Sequence, residues 1–220
     1  MKKLLLFDID CTLITSKNRI GHKVTYEAFE ELLGISIPLD HPATFAGKTD
    51  LQIFHELAVE FGADPATVAE QKGNLREVLG RRFADYGTPE WFELLPGAGE
   101  LVRALDADED AVLGLVTGNV RPSAYMKLRS HGLDGFFAFG AFGCDEADRA
   151  KLPPPALERA EEWSGRRFSL EDTVIIGDAP GDVYCAKAHG IRVVAVATGG
   201  TTAEELRAVG ADVVFDDFSR

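Results

Sequence analysis

Cysteine is scarce in this chain: three in 220 residues, Cys11, Cys144 and Cys185, at no regular spacing. That count and scatter exclude a disulfide framework and a paired-cysteine zinc site. Small buried or half-buried thiols are the role left to them. Positive charge is also short. Lys and Arg number 23 against 36 Asp and Glu, a formal net charge of −13. This argues against nucleic acid as a partner, because such binding draws on Lys and Arg at phosphates. Long apolar runs are missing too. The opening Met1-Lys2-Lys3-Leu4-Leu5-Leu6-Phe7 imitates a secretory leader until Asp8 stops it, short of the ~7–15 apolar residues a leader needs. No stretch approaches the ~18 apolar residues of a membrane span. The expectation is a cytoplasmic protein with no membrane partner, with monomer and small homo-oligomer both open.

What is present reads as an ordinary soluble fold. Hydrophobic residues make up 45% and charged residues 27%, and a chain of this length can hold a core with a smaller companion. Short apolar runs recur at Lys3–Phe7, Ala111–Val116, Phe136–Phe139, Thr173–Ile176, Arg192–Val196 and Asp212–Phe215. Continuous rather than alternating apolarity suits strands covered on both faces of a parallel sheet. Between them Pro122–His131, Pro154–Trp163, Gly181–His189 and Thr202–Val209 read as amphipathic helices, with proline at first turns and glycine at ends. Repeated βα units predict an α/β fold with a Rossmann-like parallel-sheet core. From about Thr15 to Leu94 the pattern is helical throughout, at Tyr26–Leu33, Leu51–Phe61 and Val68–Phe83. The reading is an all-α cap domain over 15–94, inserted into a core of 1–14 and 95–220, with Leu95-Pro96-Gly97 as a hinge-like return.

Three strand ends carry chemistry. Asp8 and Asp10 stand two apart at the end of the first strand and so point the same way, although Asp near Thr12 also fits a plain turn. Thr117-Gly118-Asn119 ends the second strand, offering a hydroxyl and close backbone N–H groups to an anion. Gly177-Asp178-Ala179-Pro180-Gly181-Asp182 ends another, with Asp182 also placed to cap the next helix. In open α/β sheets such ends share one crevice. Four carboxylates there repel one another, at about 4 kcal/mol per pair for ~4 Å and an effective dielectric near 20. A hard divalent cation resolves that repulsion, and with no paired Cys or His, Mg²⁺ is the candidate. The chain must also supply a cation. Lys151, ahead of the stiff Leu152-Pro153-Pro154-Pro155, is preferred, with Arg149 as its competitor.

In that order, Asp8-x-Asp10-x-Thr12, Thr117, Lys151 and Gly177-Asp178…Asp182 resemble the four motifs of the haloacid dehalogenase-like hydrolase superfamily, over nearly the whole chain. The helical insert resembles the cap of the phosphoglycolate phosphatase and β-phosphoglucomutase branch. The resemblance implies a Mg²⁺-dependent phosphatase acting on a small phosphorylated metabolite through an aspartyl-phosphate. Asp8 would be nucleophile and Asp10 the acid and base. Asp8, Asp10 (by its backbone carbonyl), Asp178 and Asp182 would hold the metal. Thr117, Gly118, Asn119 and Lys151 would hold the phosphoryl group, and Lys48 in the cap loop Phe45–Asp50 would meet substrate. Cys11 departs from the glycine many relatives carry, and Leu152 from their proline. A phosphomutase shares every core residue. A dehalogenase lacks the second aspartate, so Asp10 argues against it. A receiver domain phosphorylated without turnover fits the long insert poorly.

Overall fold

The computed structural model describes residues 2–219. In chain order the elements are β1 (Lys3–Phe7), β2 (Ile14–Ser16), α1 (Ile20–Leu33), α2 (Asp50–Glu60), α3 (Pro65–Gln71), α4 (Leu75–Ala84) and β3 (Phe92–Leu94). There follow α5 (Ala98–Asp106), β4 (Ala111–Thr117), α6 (Arg121–Arg129), β5 (Gly140–Phe142), α7 (Pro153–Ser164), β6 (Thr173–Gly177), α8 (Pro180–Lys187), β7 (Arg192–Val196), α9 (Ala203–Ala208) and β8 (Val213–Phe215). Six strands form one sheet in the order β5-β4-β1-β6-β7-β8, every neighbouring pair parallel. The order reverses at β1, flanked by β4 and β6, so the crevice of an open α/β sheet falls at the carboxyl ends of these three. Alternation along β1 splits the core in two. Leu4 and Leu6 join one apolar cluster with Val116, Ile175 and Val193, while Phe7 joins another with Leu115 and Ile176.

The helices α1–α4 all lie between β2 and β3, which pair antiparallel with Ile14 opposite Leu94 and Ser16 opposite Phe92. This short ribbon sets entry to the insert beside exit from it. Tyr26, Phe29, Phe54, Leu57, Leu79 and Phe83 of the insert belong to the same apolar cluster as Phe7 and Leu115. The insert therefore shares the burial that covers one face of the sheet.

Three local expectations need correction. The run Phe136–Phe139 is not a strand: a 3-10 turn takes Asp134–Phe136, and pairing begins where Phe139 O accepts from Leu115 N. Its apolarity serves packing instead, with Phe137 edge-on to Phe7 at a centroid distance of 5.8 Å. The strand proper starts at Gly140, where a Cβ would come within 2.6 Å of the Leu115 side chain. Val68–Phe83 is two helices, α3 and α4, interrupted at Lys72-Gly73-Asn74, where glycine is a poor helix former. Leu95-Pro96-Gly97 links β3 to α5, with Gly97 at φ 74° against the Phe218 backbone. Finally, the segment read as wholly helical begins and ends in the strands β2 and β3. Three residues are too few to show a period of two.

Candidate active site

The loop after β1 is wound tightly around one carbonyl. Ile9 O accepts from Thr12, Leu13 and Ile14 N at 3.2, 2.9 and 3.0 Å, and Cys11 N donates to Ile14 O at 2.8 Å. The turn forces Cys11 to φ 57°, a left-handed conformation that glycine takes without cost. Asp8 N donates to Ile176 O at 2.8 Å, which ties the loop's start to β6.

Asp8, Asp178 and Asp182 each offer a carboxylate oxygen within 4.8 Å of the others, and all three are buried. Desolvation raises Asp8 above the aspartate range. Arg149 opposes that, and Asp182 and Asp10 add to it. Asp178 rises further, first by desolvation and then by repulsion from Asp182 and Asp8. Thr12 Oγ1 donates to Asp178 Oδ1 at 3.3 Å. Gly199 lies so near that a Cβ there would meet Asp178 Oδ2 at 1.9 Å. Asp182 also accepts from Ala179 N at 3.1 Å, capping α8. Three buried carboxylates against one guanidinium leave excess negative charge, and the donors are all hard oxygens. The set fits Mg²⁺. The Asp10 carboxylate is not in this cluster; its side chain turns to Lys127.

The cation at the cluster is Arg149, not Lys151. Arg149 Nη2 hydrogen-bonds Asp182 Oδ1 and stands 3.2 Å from Asp8 Oδ2, and the residue is 6% exposed. Its carboxylate neighbours raise an already high pKa against the cost of burial. Lys151 is exposed and does not line the cavity. Arg149 opens a 3-10 turn that Asp148 caps through Ala150 N at 3.0 Å. Leu152 anchors the turn in the core, at 0% exposure, before Pro153 starts α7. That geometry sends position 149 inward and 151 out to solvent. Arg149 Nε is buried without a hydrogen-bond partner among the described residues.

A second cation was not foreseen. Lys127 Nζ donates to Asp10 Oδ1 and Oδ2 at 2.8 and 2.7 Å and to Asn119 Oδ1 at 2.6 Å. Asn119 Nδ2 in turn donates to Asp10 Oδ2 at 2.7 Å and to Thr117 Oγ1 at 2.8 Å. Thr117 is wholly buried, and Asn119 reaches Asp10 rather than only open space. The signal for Lys127 lay in helical spacing: Ser123, Ala124, Lys127 and Leu128 form the buried face of α6.

The insert closes the site from above. A cavity of about 320 Å³ is lined by Asp8, Asp10, Asp178 and Arg149 from the core and by His22 and Phe45 from the insert, among others. Gly118, Asn119 and Lys48 line it too, Lys48 paired with Glu56 at 2.5 Å. His22 stacks on Phe45 at 4.1 Å, and desolvation lowers its pKa, which favours the neutral ring. Asp50, another residue not anticipated, accepts from Val120 N at 2.7 Å while its own N donates to Gly118 O at 2.8 Å. Burial pushes Asp50 up to about 6 against the pull of Lys127. Glycines allow this close seating. A Cβ on Gly118 would meet Lys48 O at 2.0 Å, and one on Gly181 would meet Gly47 O at 2.5 Å.

An acidic cluster at the switch point of a parallel sheet, under a helical insert, marks a class, and sequence comparison gives its name. Residues 5–196 match the family model of the haloacid dehalogenase-like hydrolases, and the chain belongs to that family. A phosphoglycolate phosphatase of Rhodospirillum rubrum is 28% identical over 100% of this chain and 89% of its own. The pyrophosphatase PpaX of Halalkalibacterium halodurans is 26% identical over 87% of this chain and 82% of its own. Among solved structures, CbbY of Rhodobacter sphaeroides superposes with a TM-score of 0.74 at 20% identity, covering 100% of this chain and 96% of that one. A hydrolase of Pseudomonas syringae gives 0.68 at 20%, covering 99% and 95%. These two share the fold.

Proposed function

We propose that this hydrolase is a Mg²⁺-dependent phosphatase of small phosphate monoesters, working through an aspartyl-phosphate on Asp8. One observation carries the reading: Asp8, beside Arg149 and the carboxylates of Asp178 and Asp182, opens on the same cavity as Asp10. Asp8 Oδ would attack phosphorus, and the P–O bond to the substrate's alkoxide would break. Asp10 would give the alkoxide a proton, and then take one from the water that attacks the acyl phosphate. That second attack releases inorganic phosphate and restores the Asp8 carboxylate. The Gly118–Asn119 backbone lines the cavity and is suited to holding phosphoryl oxygens, with Thr117 wholly buried behind it and bonded to Asn119. Arg149 offsets the approach of a carboxylate to a dianion, and phosphoryl transfer is largely such positioning and charge stabilisation. A bound Mg²⁺, held by Asp8, Asp178 and Asp182, would supply Lewis-acid polarisation of the phosphoryl group.

We take residues 15–94 as a cap that excludes water and selects substrate, with Lys48 as one contact. The names of the relatives support a phosphoglycolate-like or sugar-phosphate-like substrate, and the cavity is of a size for such a ligand. The test is release of inorganic phosphate from a panel of phosphoglycolate, sugar phosphates and nucleotides, with Mg²⁺ and with chelator. Turnover of at least one ester with Mg²⁺ and its loss with chelator is expected. Inertness toward all of them would overturn the reading, and release without metal would overturn the metal's part.

A further inference from the structure

Lys127 has no place in the chemistry described so far, yet it is among the most constrained side chains in the molecule. Its side chain is 5% exposed, and an ammonium is kept from water only when all its protons are satisfied. Here the three go to the two oxygens of Asp10 and to Asn119 Oδ1. An ammonium can only donate, so the Asn119 amide is fixed with its oxygen toward Lys127 and its nitrogen toward Asp10 and Thr117. One side chain thus sets the plane of the Asp10 carboxylate and, through Asn119, the lone pair by which Thr117 is held. Cβ atoms on a helix lean toward its N-terminus. That lets position 127 in the last turn of α6 reach back to the loop after β4.

The fourth side of Lys127 belongs to the insert. The Phe83 ring centroid lies 5.3 Å from Nζ, and the buried Asp50 carboxylate feels the same charge. The helices α4 and α6 are in close contact there, and a Cβ on Gly80 would come within 2.6 Å of Pro122. A lysine in this place is bound by the core and enclosed by the cap.

Resting on the phosphatase reading above, the structure assigns Lys127 as a positioning residue that aims Asp10 at the leaving group and is enclosed when the cap is seated. It touches no reacting atom in this role. Its loss should therefore be felt where a proton must be delivered and spared where none is needed. The probes are p-nitrophenyl phosphate, whose leaving group departs as a stable anion, and phenyl phosphate, whose phenolate is far more basic. Lys127→Met and Lys127→Gln are compared with wild type in Mg²⁺, by single-turnover release of the phenol and by steady-state kcat and KM. Lys127→Met should slow single-turnover phenol release from phenyl phosphate about 10²-fold or more, within the range of general acid catalysis. Release of p-nitrophenol should fall less than about tenfold, with KM for both esters nearly unchanged. Lys127→Gln keeps a donor without the charge, so it should recover part of the loss and carries the test if Lys127→Met does not fold. Equal losses on both esters, a change in KM alone, or an unchanged rate on phenyl phosphate overturns the assignment. A wild type that releases phosphate from neither ester nor from any member of the panel above overturns the phosphatase reading itself, and this role with it.

Discussion

The two buried cations sit in different kinds of ground. Arg149 is held wholly by the core, on a turn between β5 and α7, against carboxylates from the end of β1 and the first turn of α8. Lys127 stands at the seam, with Asp10 and Asn119 on the core side and Phe83 on the insert side. The carboxylates they face differ in the same way. Asp8 is buried and raised by desolvation, whereas the side chain of Asp10 is 38% exposed and tied by three donated bonds, two from Lys127 and one from Asn119. Two aspartates two residues apart thus occupy different environments, one buried among carboxylates and one half-exposed against a lysine. The core supplies charge balance that stays put; the seam supplies aim.

The largest effect should come from the core side. Asp8→Asn is expected to lower turnover of p-nitrophenyl phosphate by about 10⁴-fold or more, with circular dichroism unchanged. Retained activity would reject the nucleophile. Next comes Arg149→Met, which leaves Asp8 and Asp182 facing each other. Stripping one partner from buried charges costs about 3–5 kcal/mol, so metal-free melting should drop sharply and Mg²⁺ should recover more for the variant than for wild type. Lys151→Ala should change stability by less than about 0.5 kcal/mol and kcat by less than about twofold, as for an exposed side chain. Equal effects from the two substitutions would erase the distinction between the inward and outward faces of that turn.

A pH series sharpens the comparison further. Asp8, Asp50 and Asp178 all have folded-state pKa values raised above the ordinary aspartate value. The folded protein then binds more protons than the unfolded one above about pH 4, so stability in chelator falls as pH rises through the raised values. Mg²⁺ prefers the ionised carboxylates, so the gap in melting temperature between Mg²⁺ and chelator should widen toward pH 8. Asp50→Asn removes only the seam's share, which titrates up to about pH 6. It should flatten the lower part of the curve and leave the Mg²⁺ gap in place. A gap that narrows with pH would contradict the assignment of the cluster. A small effect is expected at Cys11→Gly. Relief of a left-handed non-glycine residue at φ 57° should stabilise by up to about 1 kcal/mol, read as a rise in melting temperature. A loss of more than about 1 kcal/mol would mean that the thiol contributes packing beyond its backbone strain.

The sequence made the parallel sheet legible because β1, β4, β6 and β7 are almost wholly apolar, as strands covered on both faces must be; β8, at the edge with Val213 and Phe215 exposed, has the same composition. It made Asp8, Asp178 and Asp182 legible because strand ends in such sheets converge. Other features were hidden for physical reasons. Three-residue strands such as β2 and β3 are too short to show a period. Phe136–Phe139 has strand composition but packs as a turn. Arg149 and Lys151 differ only in which way a turn points, and a turn's rotation is set by Leu152 finding the core. Lys127 reads as a helix-end lysine until its neighbours Ser123 and Ala124 are seen to be buried. Asp50 follows Thr49 as any first-turn acid would, and nothing local reports that Gly118 and Val120 lie across from it.

The insert meets the core at Gly47, Gly118 and Gly181 with main chain against main chain. A junction built that way recognises peptide units, which every sequence possesses, and asks nothing of the residues that face the ligand. His22 and Phe45 line the cavity and take no part in these backbone approaches. If the insert selects substrate as proposed above, its seating and its selectivity rest on different atoms.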